Sequence, residues 1–347
     1  MIDQSAMAAF PKAVLHEHLD GGLRPSTILE LADEQGYQGL PAQDEAGIAS
    51  WFYQGDTGSL ERFLEAFDQT VAVMQTESAI SRIAYESGVD LAAQGVVYAE
   101  VRYGPSLSMR RGLAREAVLE AMLDGFERAT RDTGIALYGI AVALRHESDS
   151  AEVAKAGSRY VDAGIVGFDL AGPERGFPPD DHLEACRIAT EAGLGLTLHA
   201  GESDGPNSMW RALARCGAQR IGHGVHVVDD ATFVDGVLSD LGPFARRVRD
   251  HQIPLEVAIT SNIQTGSWDT AKDHPFGALY EAGFNVSINA DNRLMSGVSM
   301  IDEYQLAADT FDLSDRDLTA ITINAIKAGF GDWTRRRELI ADIEDGG

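Results

Sequence analysis

Histidines and carboxylates gather in four short fragments of this chain: L-H-E-H-L-D (15–20), L-H-A-G-E (198–202), I-G-H-G (221–224) and I-N-A-D-N (288–292). Together they supply His16, His18, His199, His223, Asp291 and the acid Glu202. Each fragment sits where an apolar or alternating run ends, which reads as the C-terminal end of a strand. Imidazoles and a carboxylate collected at several strand ends are the donor set of a divalent-metal hydrolase. His16 and His18 alternate along a strand, so both point to one side and can chelate one ion. Alone, an H-x-H is a weak sign. His199 follows G-L-G-L-T-L, and the small residues after it leave room for a ligand. Asp291 ends N-V-S-I-N-A, where a buried carboxylate without a partner would cost several kcal/mol. His16, His18, His199 and Asp291 therefore make a zinc site with a position left for water, one ion per chain.

Zinc lowers the pKa of water from about 15.7 to about 7, on the order of 12 kcal/mol of proton-transfer cost, whereas a positioned base gives only about 10²–10⁴ in rate. The metal thus activates the nucleophile, and Glu202, just past His199, is left to shuttle a proton. Its plainer role is an acid at the start of the following helix. His223 lies between two glycines, where it can orient the activated water and balance its charge. A fifth bond to the metal is the competing role. His226 reads as a surface residue or one just behind the site, and His146, His182, His251 and His274 carry no site signal. The fourth strand ends G-F-D-L-A-G with no lysine to bridge two metals, so a single ion is expected. The H-x-E with P-C-x-x-C pattern of other zinc deaminases is absent.

These donors need strands to carry them. Apolar β-branched runs at 12–18, 96–103, 135–144, 165–170, 195–200, 220–223, 254–260 and 285–290 alternate with amphipathic stretches, the pattern of βα units on a parallel sheet. Helices are expected at 113–132, 149–162, 179–192, 228–240 and 275–282, with Asp180 and Ser208 as N-caps and Gly193 and Gly283 as C-terminal stops. The long first connection reads as several helices, including 59–75 and 78–94; in the latter Ile80, Ile83, Ala84 and Leu91 share a face. The stretch 300–345 reads as closing helices. A chain of 347 residues suits one domain, 1–347: a (β/α)₈ TIM barrel with extra helices between the first and second strands and at the C-terminus.

A formal net charge of −26 argues against nucleic acid and anionic membranes as partners. Cys186 and Cys216 match neither a disulfide framework nor a zinc C-x-x-C and read as reduced, packed thiols. With no signal peptide and no membrane-length apolar run, a cytoplasmic protein is expected. No obligate protein partner is evident.

The chain resembles the adenosine deaminase family of the amidohydrolase superfamily. The likeness runs from P-K-A-V-L-H-E-H-L-D-G-G-L-R-P (11–25) through F-D-L-A-G (168–172), H-A-G-E, R-I-G-H-G, T-S-N (260–262) and N-A-D-N to the last helices. The resemblance implies zinc on His16, His18, His199 and Asp291, with Glu202 protonating purine N1 while hydroxide attacks C6 and His223 orients that hydroxide. It also implies that the Gly172 N–H meets purine N3 and that Asp20 and the edge of His18 bind the ribose hydroxyls. In S-L-E-R-F-L-E-A-F-D (59–68), Leu60, Phe63, Leu64 and Phe67 would gate the ribose; without the family the stripe reads as ordinary helix packing. Two departures stand out. Asp291-Asn292-Arg293 replaces the usual Asp-Asp-Pro, and R-Y-G-P-S-L (102–107) closes the second strand. Purine N7 is an acceptor, so Asn292 can donate its NH₂ there without first holding a proton.

The activity these features imply is hydrolytic deamination of adenosine and 2′-deoxyadenosine, with a purine nucleoside as the small-molecule partner and nucleotides poor substrates. Another 6-aminopurine nucleoside, aminodeoxyfutalosine-like or a nucleoside antibiotic, is the nearest alternative. A metal-dependent amide or phosphoester hydrolase, or an inactive barrel kept as a binding module, lies further off.

Overall fold

The computed structural model describes residues 4–53, 55 and 66–346. Lys12–His18 (β1), Val96–Tyr103 (β2), Ala136–Leu144 (β3), Ile165–Ala171 (β4), Gly195–Ala200 (β5), Arg220–His223 (β6), Leu255–Val257 (β9) and Val286–Ile288 (β10) form one eight-stranded sheet in that order. Thr232–Val234 (β7) and Val237–Ser239 (β8) form a separate hairpin. Every strand pair within the large sheet is parallel. β5 and β6 are buried along their whole length, which is why they read as apolar runs rather than as alternation.

The ends of the sheet meet and close a (β/α)₈ barrel. Asn289 Oδ1 accepts from the Leu15 and His16 N–H groups at 2.8 and 3.0 Å. A parallel bridge then joins Glu17 to Asp291, with His18 N donating to Asp291 O (2.8 Å) and Asp291 N to His16 O (3.1 Å). The seam is therefore held at the level where the metal-ligand candidates sit.

The long first connection carries Pro25–Gln35, Glu45–Phe52, Phe67–Val73 and Glu77–Ala93 among the described residues. Thr76 caps the last of these by accepting from Ala79 N, and Ile80, Ile83, Ala84 and Leu91 are buried as the periodicity predicts. This helix packs on Arg115–Thr133 so closely that a β-carbon on Gly125 would stand 2.4 Å from Ser81 O. Met300–Phe311, Asp315–Ala328 and Trp333–Asp345 close the chain, the first two opening on Ser-Asp capping boxes. Among the described residues no helix is long and apolar enough to cross a membrane.

Three expectations of local structure fail. The helix expected over 228–240 is a short 3₁₀ turn, Val225–Asp230, followed by the β7–β8 hairpin. Asp235 and Gly236 both take positive φ (49° and 75°), the two-residue loop that fits strand twist, and T-F-V-D-G-V-L-S carries the D-G signature of that turn. Asp180 does not cap a helix. It lies inside the 3₁₀ turn Pro179–His182, with Oδ1 2.5 Å from Arg211 Nε. Ser208 lies within Pro206–Arg211, whose N-cap is Gly205. Gly193 and Gly283 do end helices, at φ 89° and 82°.

The barrel interior beneath the mouth is ionic. Arg102 Nη1 binds Asp169 Oδ2 (2.8 Å) and its Nη2 binds Glu256 Oε2 (2.7 Å). Arg220 joins Glu256 Oε1 (2.7 Å) to Glu100 Oε2 (2.6 Å) and lies over the Phe330 ring. All five charged side chains are buried. Desolvation cancels most of the Coulombic gain of such pairs, so their return is fixed geometry more than stability. Asp169 Oδ2 and Glu256 Oε2, the oxygens that bind Arg102, also reach the histidines of the site above.

Candidate active site

The site candidates converge at the C-terminal mouth of the barrel. His16 and His18 lie on β1, His199 on β5, His223 ends β6, and Asp291 follows β10. His223 and Asp291 hold left-handed backbone (φ 63° and 61°), a conformation that costs a side-chain-bearing residue on the order of 1–3 kcal/mol and concentrates at functional sites.

His16, His199, His223 and Asp291 each place a donor atom within 4.8 Å of the others. His18 Nε2 joins them, 3.2 Å from His199 Nε2 and 3.4 Å from Asp291 Oδ1. His16 Nε2 lies 3.2 Å from the same oxygen. Ligands about 2.1 Å from a tetrahedral ion stand about 3.4 Å apart, so this spacing fits a shared cation. His16 Nε2 and Asp291 Oδ1 are also buried without a hydrogen-bond partner. A pair of orphaned acceptors at this point is what an ion would satisfy.

The outer atoms of the cluster are held in place. His16 Nδ1 meets Glu256 Oε2 at 3.0 Å, and His199 Nδ1 meets Asp169 Oδ2 at 2.9 Å. Ser261 Oγ donates to Asp291 Oδ2 at 2.7 Å. Imidazoles that donate Nδ1–H to a carboxylate turn bare Nε2 atoms inward, the form that binds a metal. Burial opposes ionisation of Asp169 and Glu256, yet His199 and Arg102 hold Asp169, and Arg102 and Arg220 hold Glu256, below the usual carboxylate range. Burial also pushes His18 and His199 down, keeping them neutral. For His16, burial and the Arg102 charge act downward, but Asp291 and Glu256 outweigh them and raise it. A cation at Nε2 would take the place of that proton.

His223 is oriented differently, and a chain of hydrogen bonds assigns its proton. Phe276 N donates to His274 Nδ1 (3.2 Å), so His274 carries its proton on Nε2 and gives it to Asn262 Oδ1 (3.2 Å). The Asn262 NH₂ then faces His223 Nδ1 at 3.0 Å, which must accept. Burial pushes His223 well below its ordinary pKa, so the ring is neutral and its proton sits on Nε2. That nitrogen lies 3.7 Å from Glu202 Oε2. His223 thus faces the site as a donor, which favours orientation of the water over a fifth metal bond.

Glu202 is buried beside the cluster. Burial pushes its carboxyl well up, with Asp291 and Glu174 adding to the shift. Its loop is fixed by Glu174, whose carboxylate accepts from the N–H groups of Gly201 (2.7 Å), Glu202 (3.1 Å), Ser203 (2.9 Å) and Asp204 (3.0 Å). Ser267 Oγ donates to Glu202 O at 2.6 Å.

A cavity of about 340 Å³ opens over these groups, within the range of small-ligand pockets. His18, Asp20, Phe67, Gly172, His199, Glu202, His223, Asp291 and Asn292 all line it, and Val71, Leu107, Val142 and Leu144 supply apolar wall. Burial pushes Asp20 up to about 7. Gly172 has φ 92°, a conformation that favours glycine. Leu60, Phe63 and Leu64 lie outside the described residues.

Sequence reasoning passed over the partners of these residues. Asp169 and Glu256 were visible as acids inside apolar strand runs, and Ser261 and Asn262 stood in T-S-N without a role. His274, read as carrying no signal, is buried in the His223 relay, and His146 lines the cavity. His226 pairs with Asp229 at 3.1 Å and stacks on Trp268, away from the cluster.

The adenosine deaminase family model matches residues 11–346. An adenosine deaminase of Mycobacteroides abscessus is 45% identical over 348 residues, covering 99% of this chain and 96% of its own length. Among solved structures, an adenine deaminase from Arthrobacter aurescens superposes with a TM-score of 0.87 at 28% identity, over 97% of this chain and 99% of that one. The Arabidopsis N6-mAMP deaminase gives 0.83 at 27%, over 98% and 99%.

Proposed function

This chain belongs to the adenosine deaminase family, and we propose from its site that it deaminates adenosine and 2′-deoxyadenosine hydrolytically, with the whole chain acting as one catalytic domain. Water and the nucleoside give inosine or 2′-deoxyinosine and ammonia. The observation that carries this reading is the placement of a buried, proton-holding Glu202 3.7 Å from the N–H face of His223, beside the histidine–aspartate cluster.

His16, His18, His199 and Asp291 would hold one zinc ion. When bound, such an ion lowers the pKa of water to about 7 and supplies the nucleophile at neutral pH. Glu202 holds its proton for purine N1, drawing electrons from C6 as oxygen adds there, and later moves a proton to the departing amine. The Nε2–H of His223 donates to the attacking oxygen and fixes its direction. The Gly172 N–H would meet N3 and the Asn292 amide N7, while Asp20 and His18 would take ribose hydroxyls. Phe67, Val71 and Leu107 exclude water from one wall.

A nucleoside suits the mouth better than a nucleotide. Asp20, Asp68 and Glu147 line it, and the guanidinium of Arg110 is already paired with Asp68 at 2.8 Å. A 5′-phosphate would meet repulsion there. The acid-rich, nucleoside-sized site suits a place in purine metabolism, and the location proposed with it is the cytoplasm. The acidic net charge of −26 keeps nucleic acid and anionic membranes off the list of partners.

A substrate panel on the zinc-loaded protein tests the reading, followed by the ultraviolet change on loss of the amino group. Adenosine and 2′-deoxyadenosine should lead, 7-deazaadenosine should fall clearly behind for want of N7, and 5′-AMP should be poor. Preference for adenine, for 5′-AMP or for another 6-aminopurine nucleoside would replace the proposed substrate.

A further inference from the structure

Between the histidines of β1 lies Glu17, whose side chain alternates away from theirs and is wholly buried. Its Oε1 accepts from Arg293 Nε at 2.6 Å. Arg293 follows Asp291 and Asn292 directly and opens the turn Arg293–Ser296. Its Nη2 reaches on to Ser87 Oγ at 3.2 Å, on the helix Glu77–Ala93. One ion pair therefore links the middle of the H-E-H strand, the chain just after Asp291, and the helix outside both.

The packing around the pair leaves little freedom. A β-carbon on Gly22 would stand 2.7 Å from Glu17 Oε1 and 3.0 Å from Arg293 Nη2, and one on Gly21 would stand 2.1 Å from Asn292 Oδ1. Asp291 is the left-handed residue at the barrel seam, hydrogen-bonded through N and O to His16 and His18. A strained backbone persists only where its surroundings over-determine it. The neighbours on both sides supply the seam bonds, and Arg293 anchors the chain immediately downstream. Since a buried ion pair adds little net stability, its value here is positional.

We propose that Glu17 and Arg293 form a buried clamp that positions Asp291 against His16 and His18, and so sets the affinity and geometry of the metal site. They are positioning residues, because their side chains bond to each other and to Ser87 rather than to the cluster itself. The inference rests on the metal-site reading above but not on the choice of substrate.

The test is zinc affinity of the full chain by chelator competition, with the visible absorption of the cobalt-loaded protein as a report on ligand geometry. Arg293→Met keeps the side-chain bulk and removes the pair. Its zinc affinity should fall about 10–100-fold, the range for losing a residue that orients a ligand, with an altered cobalt band. Arg293→Lys keeps a charge within reach of Glu17 and should restore most of the affinity. Glu17→Gln keeps size and an acceptor, and should fall between them. A folded Arg293→Met protein with wild-type affinity and cobalt spectrum overturns the clamp, as does an Arg293→Lys protein no better than Arg293→Met. If Arg293→Met does not fold, wild-type behaviour of Glu17→Gln overturns it instead. A wild-type chain that binds no zinc defeats the metal-site reading rather than the clamp.

Discussion

Asn262→Asp is the sharpest probe of how the site assigns protons. The substitution is isosteric, and both neighbours of Asn262 remain satisfied. His274 Nε2–H, 3.2 Å away, still finds an oxygen, and His223 Nδ1, at 3.0 Å, now faces a carboxylate instead of an NH₂. The carboxylate can only accept, so the His223 proton moves to Nδ1 and Nε2 turns a lone pair to the cavity. The donor aimed at the attacking oxygen is lost. Removing one such preorganised donor costs about 10²–10³ in kcat, or about 2.7–4 kcal/mol, with little change in KM. Zinc content should persist, since His223 already offers a nitrogen to the 4.8 Å cluster, its Nδ1 is turned to residue 262, and a bare Nε2 can only add to the ligand set. The decisive measurement is the pH dependence of kcat at full zinc loading. Beside a carboxylate the imidazolium becomes easier to form and again donates from Nε2, so activity lost at neutral pH should partly return as pH falls. A variant within about tenfold of wild type at neutral pH, with an unchanged profile, would refute the tautomer derived from the relay.

Glu202→Gln should cost about 10²–10⁴ in turnover while zinc stays bound, because the amide keeps the shape but cannot move a proton; full activity of this variant ends its assignment as proton shuttle. Glu303 gives a stability prediction remote from the chemistry. It is buried on the helix Met300–Phe311, and burial pushes its carboxyl from 4.5 up to about 7. The native state therefore binds this proton more tightly than the unfolded chain. Stability from this group is fullest below pH 4.5, falls as pH rises toward 7 and stays lower above. The total is on the order of 3 kcal/mol. Glu303→Gln should flatten that slope in denaturant titrations, and an equally steep slope in the variant would place the loss elsewhere.

The barrel was legible because its signal is local and repeated. Each strand is a short apolar run, and the observed bounds of β5 and β6 coincide with the expected 195–200 and 220–223. The hairpin was missed where a local signal was present but outvoted. A stretch between barrel strands is expected to be helical, yet Asp235-Gly236 with apolar residues on both sides specifies a turn whatever the surrounding fold requires. The site divides along the same line. Residues meant to face a ligand stand at strand ends in compact fragments, so their types and order could be read directly. The groups that determine what those residues do come from other strands. Asp169 reaches His199 from β4, Glu256 reaches His16 from β9, and His274 acts on His223 only through Asn262. No spacing along the chain encodes those meetings; only closure of the barrel produces them. The last fragment shows the limit most clearly. Asn292 and Arg293 read as one departure from a family pattern, but the fold separates them: Asn292 is among the residues lining the cavity, whereas the guanidinium of Arg293 turns back to Glu17. The roles proposed for the two neighbours thus differ, recognition of the base for Asn292 and placement of the metal ligands for Arg293, and a swap of both together would confound two effects that single variants can separate.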